Sequence, residues 1–272
     1  MRGLARGALR RFGFQRALKA IALRLKNLEM IAAPQLIDLP PGTRLLVLAP
    51  HPDDESIGCG GTLAKWRHAG LPAKVLFITD GRLGSRALRQ LPESDPARGE
   101  AQRSLIDTRK SEAHAALHEL GVEEFAFADV PDGELWNHVD QVARIIVETI
   151  EDYRPDVIML PFLTDRHPDH VAAGVCLLAA LRQLGPHLLG RLTCAGYEVW
   201  SPIQANSVVD ISAWVDKKTS AICAHASQLR DTNYLEGALS LNRFRAVSNL
   251  ISGSHAEAFY VAPAEVYRSL VE

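Results

Sequence analysis

From residue 44 onward the chain alternates short apolar runs with longer stretches in which apolar residues recur every three or four positions. Leu45-Leu46-Val47-Leu48-Ala49 and Val157-Ile158-Met159-Leu160 have no polar interruption and are each closed by a proline, as expected of strands buried on both faces. The pattern predicts strands over Arg44–Ala49, Ala73–Thr79, Phe125–Phe127 and Val157–Leu160, and helices over Gly58–Ala69, Ala97–Leu120 and Asp169–Leu184. A further helix is marked by Val139, Val142, Ile146 and Ile150 on one side, with Asp140, Arg144, Glu148 and Glu151 on the other. Gly70 and Gly121 supply C-terminal stops. The last third is less regular: Thr193–Val199, Ser207–Asp210 and Ala258–Val261 read as strands and Ala213–His225 as a helix. Strands alternating with helices imply βαβ units, so the expected fold class is α/β, a mostly parallel sheet flanked by helices. In such sheets ligands collect beyond the carboxyl ends of the strands. The weakly periodic segment Gly81–Asp95 is expected to form a functional loop over that region.

The N-terminal part follows a different pattern. Arg2 to Lys26 holds eight basic residues and no acidic one, and Phe14, Leu18, Ile21, Leu25 and Leu28 share a helical face. Lys19 and Arg24 break the apolar run, which is unlike a secretory signal. A basic amphipathic helix and linker are expected over residues 1–38, followed by one domain over 39–272. Residues 2–28 suit packing on the domain or a partner, peripheral contact with an anionic membrane, or organellar targeting. No segment has the length of a transmembrane helix. A net charge of −2 gives no global pull toward nucleic acid. Cys59, Cys176, Cys194 and Cys223 lack C-x-x-C spacing, which fits free thiols in a cytoplasmic protein, at most peripheral at the inner face of a membrane. Oligomeric state is not encoded in any pattern here.

Two clusters carry the chemistry. His51-Pro52-Asp53-Asp54-Glu55 follows the first apolar run, and His167-Pro168-Asp169-His170 follows the second. Two strand ends distant in sequence thus each deliver imidazoles and carboxylates, a set that can hold a divalent metal and leave a carboxylate for proton transfer. His51 and Asp54, three positions apart in a turn, can converge on one ion, and either His167 or His170 supplies another imidazole. Asp53 points elsewhere than its neighbour and can take a proton from water acidified by the metal. The spare histidine, left protonated, can stabilise an oxyanion or protonate a leaving amine. Glu55 is expected to accept backbone N–H groups in the turn or to support an imidazole. Gly58-Cys59-Gly60-Gly61 lacks the residues of a phosphate loop and is read as close helix–strand packing.

Ala49-Pro-His-Pro-Asp-Asp-Glu55 with the later His-Pro-Asp-His170 resembles the N-acetylglucosaminyl-phosphatidylinositol deacetylase family, also called LmbE-like or PIG-L. The likeness runs from about Arg44 to Gln228. It includes Arg109-Lys-Ser-Glu112, Pro131-Asp132-Gly133, and Lys218 through His225-Ala-Ser-Gln228. It implies a Rossmann-like fold for residues 39–272 and a zinc-dependent hydrolase that removes an N-acetyl group from a GlcNAc-type sugar or glycoconjugate. By position it implies one Zn2+ held by His51, Asp54 and His170, with Asp53 as general base and His167 stabilising the oxyanion. Asp132 and Arg109 match places where relatives contact the sugar, and His225 either supports a site residue from behind, faces the substrate, or packs in the core as a helix histidine. Relatives often carry an acidic residue where this chain has Arg82; the change suits a phosphorylated or acidic glycan, as do Arg86 and Arg89. Hydrolysis of another amide or a phosphoester, and a non-catalytic glycan-binding module, stay open as alternatives.

Overall fold

A computed structural model describes residues 34–92 and 94–271. The basic segment up to residue 33, and with it the expected N-terminal helix, lies outside them. Eight strands form one sheet: β1 (Gln35–Leu36), β2 (Leu45–Ala49), β3 (Ala73–Thr79), β4 (Glu124–Val130), β5 (Val157–Pro161), β6 (Thr193–Tyr197), β7 (Ser207–Asp210) and β8 (Ala256–Pro263). Their spatial order is β1-β7-β8-β6-β5-β2-β3-β4. Strands β4, β3, β2, β5 and β6 are parallel, and β8 runs antiparallel to both β6 and β7.

The long helices are α1 (Asp54–His68), α2 (Pro96–Leu120), α3 (Val139–Tyr153), α4 (Pro168–Leu181), α5 (Val215–Ala224) and α6 (Tyr234–Ser248). All residues of β2 and β5 are buried, because helices cover both faces of the central strands. The chain runs outward from β2 through β3 to β4, then returns to place β5 on the other side of β2. The carboxyl ends of β2 and β5 are therefore the topological switch point, where the crevice of an open α/β sheet lies.

Three elements differ from the sequence expectation. Strand β1 lies within the stretch read as a linker and pairs parallel to β7. Residues Arg86–Gln90 form a short helix inside the expected loop, capped by the Ser85 side chain. Helix α1 begins at Asp54 rather than Gly58, so the first His-Asp motif itself opens the helix. That helix breaks at Cys59 (φ −138°, ψ 17°). The break is stitched by a buried pair: Lys218 Nζ donates to the freed Ile57 carbonyl at 2.7 Å, while Glu257 accepts from the freed N–H groups of Gly61 and Thr62 at 2.9 and 2.7 Å. Lys218 and Glu257 bond each other as well. A Cβ on Gly58 would fall 2.1 Å from the Tyr197 ring, so the glycine run serves close packing, as expected.

Candidate active site

The end of β2 delivers His51 and then a strained turn. Asp53 has φ 152°, a conformation that costs a non-glycine residue on the order of 1–3 kcal/mol and persists only where its surroundings fix it. Here the Asp53 N–H donates to Glu55 Oε2 at 3.2 Å, and Arg109 donates to the Pro52 carbonyl at 2.9 Å. Glu55 also accepts the Ser56 hydroxyl and lies 3.4 Å from His225 Nε2. The end of β5 delivers Asp165, then His167 as the N-cap of α4, with Pro168 in its first turn and His170 behind it.

Three donor atoms converge. His51 Nδ1 lies 3.1 Å from Asp54 Oδ2, His170 Nε2 lies 3.2 Å from the same oxygen, and the two nitrogens are 3.3 Å apart. With zinc–ligand bonds of about 2.0–2.1 Å, one edge of a tetrahedron measures about 3.3 Å. The triangle thus fits one face of a four-coordinate ion, with the fourth position left for water or substrate. His51, His167 and His170 also present ligand atoms within 4.8 Å of one another, and so do His51, Asp132 and Asp169.

Each converging imidazole is backed by carboxylate on its other nitrogen. His51 Nε2 is 3.3 Å from both Asp132 Oδ1 and Asp169 Oδ2, and His170 Nδ1 is 3.2 Å from Asp165 Oδ1. Such partners fix the tautomer that offers a lone pair to a metal. Burial works against protonated His51, yet Asp132, Asp169 and Asp54 hold its pKa well above the ordinary value. The same contest, with burial opposed by Asp54 and Asp165, pushes His170 up to about 9. Asp54, despite its burial, is held well below the carboxylate range by His170 and His51. The cluster is thus an electrostatic cradle whose acidic side is already ionised.

Asp53 stands apart from the triangle. Its Oδ2 is 3.1 Å from Arg109 Nη2, and burial raises its pKa to about 6, partly countered by Arg109 and reinforced by Asp54. His167 differs from its neighbours: burial, then the charges of His51 and His170, lower it to about 4. Its Nδ1 accepts the Asp169 N–H at 3.3 Å, which places the ring proton on Nε2. Where a protonated spare histidine was expected, burial and the charges of His51 and His170 favour the neutral form of His167.

Arg109 is buried and spends its guanidinium on Asp53 and on the carbonyls of Gly81 and Pro52. Gly81 (φ 68°) admits it, since a Cβ there would lie 2.6 Å from the guanidinium. Asp132 contacts His51 and accepts the Leu83 N–H at 3.0 Å, while also lining an adjoining cleft. His225 sits buried on Glu55 and Ser56. Arg82 also lines the cleft, but its Nε and Nη2 both bind Asp80. Asp165 was missed in the sequence. It also accepts the N–H groups of His167 and Trp200 at 2.8 Å, and its only sequence signal is a carboxylate two residues before the second motif.

A family profile described as PIG-L, GlcNAc-PI de-N-acetylase, matches residues 46–181. The chain belongs to this family. Diacetylchitobiose deacetylase of Thermococcus kodakarensis is 31% identical over 199 residues, which cover 68% of this chain and 70% of the relative. A 1D-myo-inositol 2-acetamido-2-deoxy-alpha-D-glucopyranoside deacetylase of Kineococcus radiotolerans is 31% identical over 179 residues, covering 56% of this chain and 47% of the relative. The chain thus spans about half of that protein's length. The fold is shared with N,N′-diacetylchitobiose deacetylase of Pyrococcus horikoshii at a TM-score of 0.68, 23% identity, and coverage of 84% of this chain and 86% of that one. Members of the family similar to this chain are N-deacetylases of GlcNAc-containing substrates.

Proposed function

We propose that this chain is a zinc-dependent hydrolase that removes the N-acetyl group from a GlcNAc-type amino sugar or glycoconjugate. The observation that carries this is the triangle of His51 Nδ1, Asp54 Oδ2 and His170 Nε2, with Asp53 beside it and outside it. A zinc ion held by these three residues supplies Lewis acidity toward the amide carbonyl and acidifies water. Asp53, positioned by Arg109, takes the proton of the attacking water as the C–O bond forms. His167 donates its Nε2 proton in a hydrogen bond to the developing oxyanion. The proton held by Asp53 then passes to the amine nitrogen as the C–N bond breaks.

A two-ion phosphoesterase centre would need a second ion on His51 Nε2 with Asp132 and Asp169. His51 can turn only one nitrogen's lone pair to a metal at a time, and Asp132 and Asp169 face the nitrogen opposite the Asp54–His170 side, so they serve as its proton acceptors, which favours one ion and amide chemistry. The test is acetate release by zinc-loaded protein from a panel of N-acetylated amino sugars. Asp53→Asn is expected to retain zinc and lose at least about a hundredfold in turnover. Unchanged turnover in that variant would contradict the assignment.

A further inference from the structure

We propose that Glu112 and Ser227 form a lock that positions Asp53 for proton transfer, by tying together two separate holds on that residue, one on its carboxylate and one on its backbone. Neither side chain is among the groups that meet at the triangle, so both are positioning residues. This deepens the deacetylase reading and rests on it.

The first hold is the Arg109 guanidinium, whose Nη2 lies 3.1 Å from Asp53 Oδ2 and donates to the Pro52 carbonyl at 2.9 Å. The second is Glu55. One of its carboxylate oxygens accepts the Asp53 N–H at 3.2 Å, while the other accepts the Ser56 hydroxyl at 2.6 Å and lies 3.4 Å from His225 Nε2. Both holds matter because Asp53 carries φ 152°, and such a backbone keeps its shape only where its neighbours dictate it. Arg109 comes from helix α2, and His225 is the residue joining α5 to the short helix Ala226–Leu229. These elements are remote in sequence, so the spacing between the two holds depends on how they are joined.

Glu112 joins them. It stands three residues after Arg109 on the same face of α2, and Ser227 stands two residues after His225. The Ser227 N–H donates to Glu112 Oε1 at 2.7 Å, and the Ser227 hydroxyl donates to Oε2 at 2.6 Å. Two bonds to one carboxylate fix orientation as well as distance. Gln228 completes the junction. Its Nε2 donates to Ser227 Oγ at 2.9 Å, and its amide and the Arg109 guanidinium both crowd Gly84, where a Cβ would meet them at 2.7 and 2.5 Å. If the lock opens, α2 and the end of α5 move apart, and Arg109 and Glu55 pull Asp53 toward different places. A displacement of about 1 Å at a reacting group can cost about a hundredfold in rate. The zinc-binding imidazoles have their own supports, Asp132 and Asp169 behind His51 and Asp165 behind His170, so the lock acts on the base rather than on the metal.

The test measures kcat and KM for acetate release from GlcNAc and N,N′-diacetylchitobiose, and zinc affinity by competition with a chelator. Glu112→Ala is expected to lower kcat about 10–100-fold and Ser227→Ala about threefold or more, with KM and zinc affinity within about threefold of wild type. Ser227→Thr, which keeps the hydroxyl, is expected to restore kcat. In an Arg109→Gln background, Glu112→Ala is expected to cost less than about threefold more, since one of the two holds is already gone. Unchanged kcat in both lock variants, zinc affinity falling in step with kcat, or the full loss repeated in the Arg109→Gln background overturns the proposal. Hydrogen exchange of metal-free protein reads the lock without turnover. The peptide over residues 49–57 is expected to exchange about tenfold faster in Glu112→Ala and Ser227→Ala, and an unchanged rate overturns the proposal. Faster exchange there, with acetate released by wild type from neither sugar, would uphold the lock and sink the deacetylase reading.

Discussion

Asp53 combines backbone strain with altered acidity, and both trace to the same neighbours. The turn that forces φ to 152° also buries the carboxylate against Arg109, so a group with an ordinary pKa near 4 is brought to about 6. A general base works best when its pKa lies close to the working pH. Activity is expected to fall on the acid side as Asp53 takes a proton, at about pH 6 or below once a dication lies beside it. Because Arg109 holds the carboxylate down, Arg109→Gln should move that acid limb to higher pH; a limb that stays in place in kcat/KM profiles would separate Arg109 from the base. Asp165 acts through His170. Asp165→Asn is expected to weaken zinc binding about 10–100-fold, read by competition with a chelator, while leaving the melting temperature of metal-free protein within a few degrees. At this scale the sequence disclosed the residue types well. His51, Asp53, Asp54, His167 and His170 are all brought within one cluster. What it withheld was protonation and the second layer of contacts. The pKa of His167 depends on burial and on charged neighbours that follow two strands, β2 and β5, and no spacing in the chain reports that.

At the scale of elements, the site exists because β2 and β5 are adjacent while their continuations diverge. Leu45 pairs with Val157 and Val47 with Met159, so the two motifs emerge side by side from the same edge of the sheet. The long apolar runs made these two strands readable. Strand β4 was read too short because it is the edge strand, half exposed along its length and weakly patterned. Helix α6 escaped notice because its buried face is Ala238, Asn242 and Ala246, small or polar residues that give no apolar periodicity. The antiparallel placement of β8 likewise depends on pairings remote in sequence. The kink in α1 has its own consequence. Lys218 and Glu257 are fully buried and satisfy backbone groups on both sides of the break, so Lys218→Met leaves a carboxylate without its counter-charge. Destabilisation of about 3–5 kcal/mol is expected in denaturant unfolding; a change under about 1 kcal/mol would show that the pair is dispensable to the kink.

At the scale of the whole molecule, the cradle couples stability to pH and to metal. His170 is held at about 9 in the folded protein against an ordinary 6.5, with burial opposed by Asp54 and Asp165. Without metal, that interaction contributes fully below pH 6.5 and is lost as pH rises through 9, on the order of 3 kcal/mol. Zinc needs the neutral imidazole, so its own contribution grows over the same range. The gap in melting temperature between zinc-loaded and metal-free protein should therefore widen from pH 6.5 to 9, and a constant gap would contradict the cradle. Among the described residues no helix is long and apolar enough to cross a membrane. The central claim concerns which nitrogen of His51 faces the ion. Crystals of zinc-loaded protein, measured for anomalous scattering at the zinc edge, address it directly. The account predicts one peak, about 2 Å from His51 Nδ1, Asp54 and His170 Nε2. A peak on the far side, between His51 Nε2, Asp132 and Asp169, would contradict it.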